Sequence, residues 1–396
     1  MENHYRKLLL DLKPYLNGKR VGLFCNQVSF DFSTGKYLFQ LLSKNCGQLT
    51  VFLPEHGFFA EQQDQVVIED ISYYHSLESP VGFKSLYGKT DNKIGDMFNH
   101  LAGIDTLIID IQDIGIRYYT YITTIGAFFE VLAAHDLPVS VIVVDKPNPA
   151  GRQVEGTILK NEFSSLIGLT GLPHRYGLTI GELCLYLRSL YSGQFQIEVI
   201  KTTSESIPIN PSPNIPGKKT CRIYSGQCLL EGTNLSEGRG TTRPFEIFGA
   251  PFLDRLSEDW VEQWNRNNPE AVLRPLMFVP TFHKYSDEIC YGFQLHPVKP
   301  MHSLMYALKM LRSLKIHSVE FAWLQGPYEA GSERPAIELL AGDEDMLCFL
   351  NGELNEDLIE EKLKEEENAW ISMVQPYLLY SEPLYSLFGQ AFENKG

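Results

Sequence analysis

The chain reads as an α/β protein: a Rossmann-like parallel-sheet domain followed by a second, smaller α+β domain. Three observations predict this. Strand-like and helix-spaced runs alternate between residues 20 and 200. Some strand runs, such as Leu107-Ile108-Ile109, are unbroken in apolar residues, which suits strands covered on both faces of a parallel sheet. Several of these runs stop abruptly in polar turn residues, as at Pro54-Glu55-His56-Gly57, Asp110-Ile111-Gln112-Asp113-Ile114-Gly115 and Asp145-Lys146-Pro147-Asn148-Pro149. In an open α/β sheet the crevice beyond the carboxyl ends of the strands is where ligands bind, so polar groups at several such ends predict one shared pocket.

The elements follow in order. Residues 20–24 are a strand ending in Cys25-Asn26-Gln27, and 34–42 has helical spacing in Tyr37, Leu38, Leu41 and Leu42. Residues 49–53 are a strand closed by the Pro and Gly of the next turn. Residues 94–101 are a short helix, and Leu107-Ile108-Ile109 a third strand ended by Asp110. Residues 121–135 place Ile125, Phe128, Phe129 and Leu132 on one helical face, and 139–144 form a fourth strand. Thr179-Ile180-Gly181-Glu182 is a capping box opening a helix to about Leu190, and 195–200 is a fifth strand. Residues 202–219, rich in Ser, Pro, Asn and Gly, form a long loop. Beyond it the rhythm changes: a strand is expected at 229–233, a helix at 259–265, a strand at 291–296, an amphipathic helix at 303–314 and a charged surface helix at 358–370. The expected boundary falls near residue 228, giving domains 1–228 and 229–396.

Composition excludes several function classes. A net charge of -15 opposes nucleic acid and anionic membrane at long range, and no basic stripe reverses it locally. No stretch approaches a membrane span. The seven cysteines include no Cys-x-x-Cys pair and read as buried thiols of a reducing compartment. Residues 1–20 offer only Leu8-Leu9-Leu10 before Asp11, short of a signal core, so the sequence as given predicts a cytoplasmic protein, or an exported one if it has been trimmed. The histidines show no metal-ligand spacing, and neither a cofactor nor a metal is expected. Residues 82–90 end in Gly88-Lys89-Thr90, but Phe83 stands where a phosphate loop needs glycine. No Gly-x-Gly-x-x-Gly follows the first strand, which opposes a nucleotide-dependent reading.

Carboxylates dominate the expected pocket: Glu55, Asp110, Asp113, Asp145 and Glu237, without an evident Ser or Cys nucleophile. Glycosidic hydrolysis needs two acid groups, or one assisted by the substrate. Glu55 is the expected proton donor, with Phe58 and Phe59 as apolar neighbours, although an acidic helix cap is an alternative. Asp110 and Asp113 are suited to orienting a hydroxyl, binding a cation or pairing with Arg117. Tyr118, Tyr119 and Tyr121 suit stacking on sugar faces or an ordinary core. In Glu237-Gly238-Arg239-Gly240-Thr241-Thr242-Arg243 two glycines allow close approach to a ligand and two guanidiniums can clamp a carboxylate, which predicts an anionic substrate; the alternative is a tight turn that offsets acidic charge.

Taken in order, Pro54-Glu55-His56-Gly57, Ser85-Leu86-Tyr87-Gly88, the Asp110 to Gly115 segment with Arg117-Tyr118-Tyr119-Thr120-Tyr121, Pro147-Asn148-Pro149, Gly177-Leu178-Thr179-Ile180-Gly181-Glu182, Pro211-Ser212-Pro213-Asn214 and Glu231-Gly232-Thr233-Asn234 running on to Gly240-Thr241 resemble the exo-acting β-N-acetylmuramidases of bacterial cell-wall recycling. The resemblance spans roughly residues 21–380. It implies a Rossmann-like domain, a smaller carboxy-terminal domain and a cleft that releases N-acetylmuramic acid from the non-reducing end of peptidoglycan fragments. It maps the catalytic acid to Glu55. The small-molecule substrate it implies, a muropeptide or the MurNAc-GlcNAc disaccharide, carries a lactyl carboxylate, giving Arg239, or failing that Arg117 or Arg175, a natural partner. Candidate catalytic residues are therefore Glu55, Asp110 and Glu237. Candidate substrate-binding residues are His56, Gln112, Asp113, Arg117, Tyr119, Asp145, Asn148, Arg175, Asn214, Asn234 and Arg239. A non-catalytic muropeptide-binding protein is the alternative. The chain departs from the family where an arginine-glycine pair usually follows the Pro-Glu-His-Gly motif: here Phe59-Ala60 leads to Glu61-Gln62-Gln63-Asp64, which leaves room for a different loop and subsite.

Overall fold

The computed structural model describes residues 4–63, 72–75, 77, 80–86, 93–202, 209–329 and 332–388. Asp64, the Tyr87-Gly88 half of the Ser-Leu-Tyr-Gly motif and Lys89-Thr90 lie outside them. The chain lays down β1 (Arg20–Cys25), a small antiparallel pair β2 (Phe30–Asp31) and β3 (Lys36–Tyr37), then β4 (Gln48–Leu53), β5 (Gly82–Ser85), β6 (Thr106–Asp110), β7 (Ser140–Asp145) and β8 (Gln196–Lys201). Six of these form one parallel sheet in the order β5-β4-β1-β6-β7-β8. The chain walks outward from β1 through β4 to β5, then returns to the other side of β1 to build β6, β7 and β8. That reversal between β1 and β6 opens a crevice beyond their carboxyl ends.

The unbroken apolar runs have the expected cause. Leu107 and Ile109 of β6 face a core with Phe128 and Phe129 of helix Thr120–Ala134, while Ile108 faces the opposite core with helix His4–Leu16. Both faces are covered, so neither can be polar. The capping box of helix Ile180–Ser189 is formed: Thr179 Oγ1 accepts from the Glu182 amide at 3.2 Å, and Glu182 Oε2 from the Thr179 amide at 3.0 Å.

The carboxy-terminal part carries an antiparallel sheet of β9 (Ile247–Ala250), β10 (Ala271–Phe278) and β11 (Cys290–Pro297) in the order β10-β11-β9. Its helices include Glu258–Asn267, Ser303–His317 and Glu356–Val374. The last of these drives Trp370 against the sheet domain, where its indole N–H donates to the Tyr176 carbonyl at 2.9 Å and its ring meets Tyr186 edge-on at 4.9 Å. One hydrophobic cluster runs through both parts.

Five elements depart from the sequence reading. Helix 34–42 shrinks to Leu38–Leu42 because Asp31 captures the Ser33 amide at 2.9 Å and the Ser33 and Thr34 hydroxyls at 2.7 Å, holding the β2–β3 turn instead. The strand expected at 229–233 is a 3-10 turn, Cys228–Gly232, that continues directly from helix Lys218–Gln227 and is closed by the Thr233 amide and hydroxyl, which donate to the Leu230 carbonyl at 3.0 and 2.8 Å. Strand β10 went unread because Pro275 interrupts it; β10 is an edge strand, where a missing N–H is tolerated. Helix Lys218–Gln227 begins inside the Pro- and Gly-rich segment read as loop, and β5 offers only Phe83 as a buried apolar residue.

Candidate active site

Strand β4 ends at Leu53 and delivers Glu55 into a turn closed by the Gly57 amide, which donates to the Pro54 carbonyl at 3.2 Å. His56 adopts φ = 68°, the left-handed region that few residues other than glycine occupy. From the neighbouring crossover, Thr120 opens helix Thr120–Ala134, and its hydroxyl donates to Glu55 Oε2 at 2.6 Å. Glu55 and His56 are buried. Phe58 and Phe59 do not shelter Glu55: they pack with each other and with Tyr37 in the aromatic cluster below the turn.

A narrow cavity of about 50 Å³ opens at this point. Glu55, His56, Tyr119 and Thr120 line it from the sheet domain, Ser212 and Asn214 from the Pro-Ser-Pro-Asn loop, and Glu231, Arg239, Phe245 and Tyr328 from the carboxy-terminal part. Its rim is tied where the Leu166 amide donates to Glu329 Oε1 at 3.0 Å. Across the cavity Arg239 is fixed on three sides. Nη2 meets Glu231 Oε1 at 2.9 Å, Nε meets Glu237 Oε1 at 3.2 Å, and the guanidinium carbon stands 5.1 Å from the centre of the Phe245 ring. Glu231 is further held by the Tyr328 hydroxyl, which donates to its Oε2.

Charge states follow from surroundings. Burial, helped by Arg239 and opposed by Glu55, pushes the His56 imidazole below its ordinary value, so the ring is neutral at neutral pH. Burial raises the Tyr119 phenol well above its usual range. Burial also works against ionised Glu237, but Lys284 at 3.1 Å, His283 at 2.9 Å and Arg239 outweigh it and hold the carboxyl at about 2.

Of the residues expected at the site, the fold brings Glu55, His56, Tyr119, Asn214 and Arg239 together in the cavity lining. Glu237 sits directly behind Arg239. The others lie outside that lining and hold the surrounding loops. Asp110 pairs with Lys146. Gln112 donates to the Asp113 and Pro147 carbonyls at 2.8 and 3.3 Å. Asp113 accepts from the Gly115 amide at 2.6 Å and from the Tyr176 hydroxyl, and burial pushes its carboxyl up to about 6. Arg117 is fully buried, with donors on Thr157 O, Leu340 O and Ala341 O and its Nη2 2.9 Å from His174 Nε2; burial lowers it to about 10. Arg175 pairs with Glu155 at 2.9 Å. Asp145 accepts from Thr179, Tyr380 and the Gly181 amide, anchoring the following helix. Asn148 bridges Leu178 O and the Ala150 amide, and Asn234 bridges Glu320 O and the Ala322 amide. The acidic strand ends at Asp110 and Asp145 are thus engaged in holding loops and helix starts, the usual fate of buried charge.

Sequence reasoning missed Thr120, Ser212, Glu231, Phe245, Tyr328 and Glu329 in the cavity lining. Thr120, Ser212 and Glu231 stood inside motifs already singled out, so their spacing carried a signal. Tyr328 stood in none.

A doubly wound sheet whose switch-point crevice meets a second domain, with three glutamates, an arginine and tyrosines converging there, has the layout of an α/β enzyme whose site is rich in carboxylates. Comparison with known proteins gives the family. The chain belongs to the exo-β-N-acetylmuramidase NamZ family, whose N-terminal domain matches residues 21–219 and whose C-terminal domain matches residues 222–380. It is 36% identical over 302 residues to the peptidoglycan β-N-acetylmuramidase NamZ of Bacillus subtilis (strain 168), a match covering 73% of this chain and 70% of that protein. Two crystal structures of DUF1343 family proteins from Bacteroides fragilis NCTC 9343 share the fold. One superposes with a TM-score of 0.74 at 26% identity, covering 96% of this chain and 98% of its own; the other gives 0.67 at 25%, covering 94% and 97%.

Proposed function

We propose that the chain is a glycoside hydrolase that releases N-acetylmuramic acid from the non-reducing end of peptidoglycan fragments, with Glu55 as general acid and Arg239 as receptor for the lactyl carboxylate. The family supports the reaction. The observation that carries the residue roles is the convergence of Glu55, brought by β4, and Arg239, brought from 184 positions later in the chain (239 minus 55), on one cavity. Glu55 has a neutral hydroxyl partner in Thr120, which leaves its second oxygen available for a proton to hand over. Arg239 is already oriented by Glu231 and Glu237, so a substrate carboxylate meets a rigid guanidinium rather than a mobile one.

His56, neutral and packed beside Glu55, and Tyr119 shape the wall that the sugar meets. Asp110 and Glu237, expected at the reaction centre from sequence, act at one remove in this reading: Asp110 through Lys146, Glu237 through Arg239. Incubation with MurNAc-GlcNAc and with the same disaccharide reduced at the lactyl carboxyl tests the assignment. Release of free MurNAc from the first and at least tenfold slower release from the second is expected. Binding of the disaccharide without any product would instead favour a muropeptide-binding protein.

A further inference from the structure

We infer that Glu231 is the second catalytic carboxylate of the reaction, accepting the acetamido N–H of the sugar as positive charge develops on it. The inference rests on the glycosidase reading above and deepens it. Glu231 is buried and lines the same cavity as Glu55. Its partners differ in kind from that of Glu55: Arg239 at 2.9 Å is a full charge, the Cys228 thiol stands 3.8 Å from the same oxygen, and the Tyr328 hydroxyl closes on the other. A carboxylate held by a guanidinium and a phenol has a fixed orientation. It is suited to stabilising a cation and poorly suited to attacking carbon, since attack would pull it away from two donors. Oε2, which accepts from the Tyr328 hydroxyl, has a lone pair for one further donor. Asp110, Asp113 and Asp145 are engaged with loop and helix-start partners outside the lining, Glu237 lies behind Arg239, and Glu329, the third glutamate of the lining, accepts from the Leu166 amide at the rim, so Glu231 is the acid that joins Glu55 beside Arg239.

The chemistry balances with these two groups and the substrate itself. Glu55 gives its proton to the glycosidic oxygen; the bond from C1 to that oxygen breaks, and its electron pair leaves with the departing sugar. The acetamido carbonyl oxygen bonds to C1, and the positive charge spreads onto the ring nitrogen, whose N–H points to Glu231. Water then adds to C1, the bond from the carbonyl oxygen to C1 breaks and restores the acetamide, and the proton lost by water returns to Glu55. Hydrolysis with retained configuration is the result.

The test uses the full chain and a 4-nitrophenyl β-glycoside of MurNAc, whose leaving group departs without protonation, beside the MurNAc-GlcNAc disaccharide. Glu231→Gln is expected to lower kcat at least about 100-fold on both substrates, and Tyr328→Phe about tenfold, each with the melting temperature within a few degrees of wild type. A rise in KM with kcat unchanged would reduce Glu231 to a holder of Arg239 and overturn the inference, as would wild-type kinetics or an inverted product anomer by NMR. If Glu231→Gln does not fold, Tyr328→Phe with unchanged kcat overturns it alone. Failure of the unmodified protein to cleave either substrate would sink the glycosidase reading itself, a result distinct from all of these.

Discussion

Replacing Glu55 with glutamine isolates the acid role because the structure lets fold and chemistry be separated. The Thr120 hydroxyl donates to Glu55 Oε2 at 2.6 Å, and the carbonyl oxygen of a glutamine can accept the same bond. No buried donor is stranded, so the stability change should stay within about 1 kcal/mol. The proton is what disappears. General acid catalysis contributes about 10²–10⁴ in rate, equivalent to roughly 3–5 kcal/mol of barrier at 1.36 kcal/mol per decade. That loss should fall unequally. On MurNAc-GlcNAc, where a poor leaving group needs the proton, kcat/KM should drop about 100- to 10,000-fold. On the 4-nitrophenyl glycoside the first step should survive within about tenfold, because the phenolate leaves unaided. Parallel kinetics on both substrates, with thermal unfolding as the control, give the comparison. Disaccharide turnover within threefold of wild type, or equal losses of kcat/KM on the two substrates, would refute Glu55 as the acid.

Other outcomes follow from the same geometry. Arg239→Lys keeps one charge but loses the fork that Glu231 and Glu237 orient, so KM for MurNAc substrates should rise at least about tenfold while a substrate without the lactyl carboxylate is little affected; equal changes on both would remove the carboxylate-receptor role. Arg117→Met strips donors from three buried carbonyls, Thr157 O, Leu340 O and Ala341 O, and should destabilise the fold by about 3 kcal/mol, read as a lowered urea midpoint. Stability should also fall at both ends of the pH scale. Glu237, lowered from 4.5 to about 2, contributes a stabilisation present above 4.5, roughly 3 kcal/mol at 1.36 per unit, that is lost as pH falls toward 2. His302, whose imidazole is raised because Glu367 and Glu155 outweigh its burial, contributes below 6.5 and loses that contribution as pH rises through its folded value. Glu237→Gln should flatten the acid limb of a melting-temperature profile, and His302→Gln the alkaline limb; unchanged limbs would contradict the assignments.

How far these features could be read from residues alone depended on the range of the physics involved. Strands and helices with local causes were legible: the buried run at Leu107-Ile108-Ile109, the Thr179 capping box, the turn after Leu53. Elements settled by distant partners were not. Strand β10 exists because β11 pairs with it along its whole length despite Pro275. The segment at Cys228–Gly232 turns as a 3-10 helix whose Gly232 lies close against Ile337, far along the chain. The site divides the same way. Glu55 and Arg239 were legible because a carboxylate at a strand end and a guanidinium between two glycines suggest chemistry wherever they stand. Tyr328 was not, because nothing near it in sequence distinguishes it from other tyrosines; only the fold brings it to Glu231. Asp110, Asp145 and Arg175 show the converse: the same residue types at the same kind of position are engaged by Lys146, a helix start and Glu155.

Backbone strain among the described residues gathers around the same chemistry. Seven non-glycine residues there adopt positive φ, and three of them, His56, Phe245 and His283, belong to the cavity wall or the charge cluster behind it. Each such conformation costs on the order of 1–3 kcal/mol and persists only where the surroundings impose it. The adjoining charges are equally restrictive, since Arg239 and Glu237 are buried and stable only as partners of one another, Lys284 and His283. A fold selected for stability alone would relax the turn at His56 and replace the buried ions with apolar side chains. That it does neither argues that the turn exists to aim Glu55, and the ion cluster to aim Arg239, at a common substrate. It follows that glycine at position 56, which frees the turn without touching Glu55, should lower kcat; relief of strain and loss of the buried imidazole oppose each other, so stability should fall by less than the roughly 2–5 kcal/mol usual for emptying a buried site. A His56→Gly variant that kept full activity would show that the turn is merely tolerated.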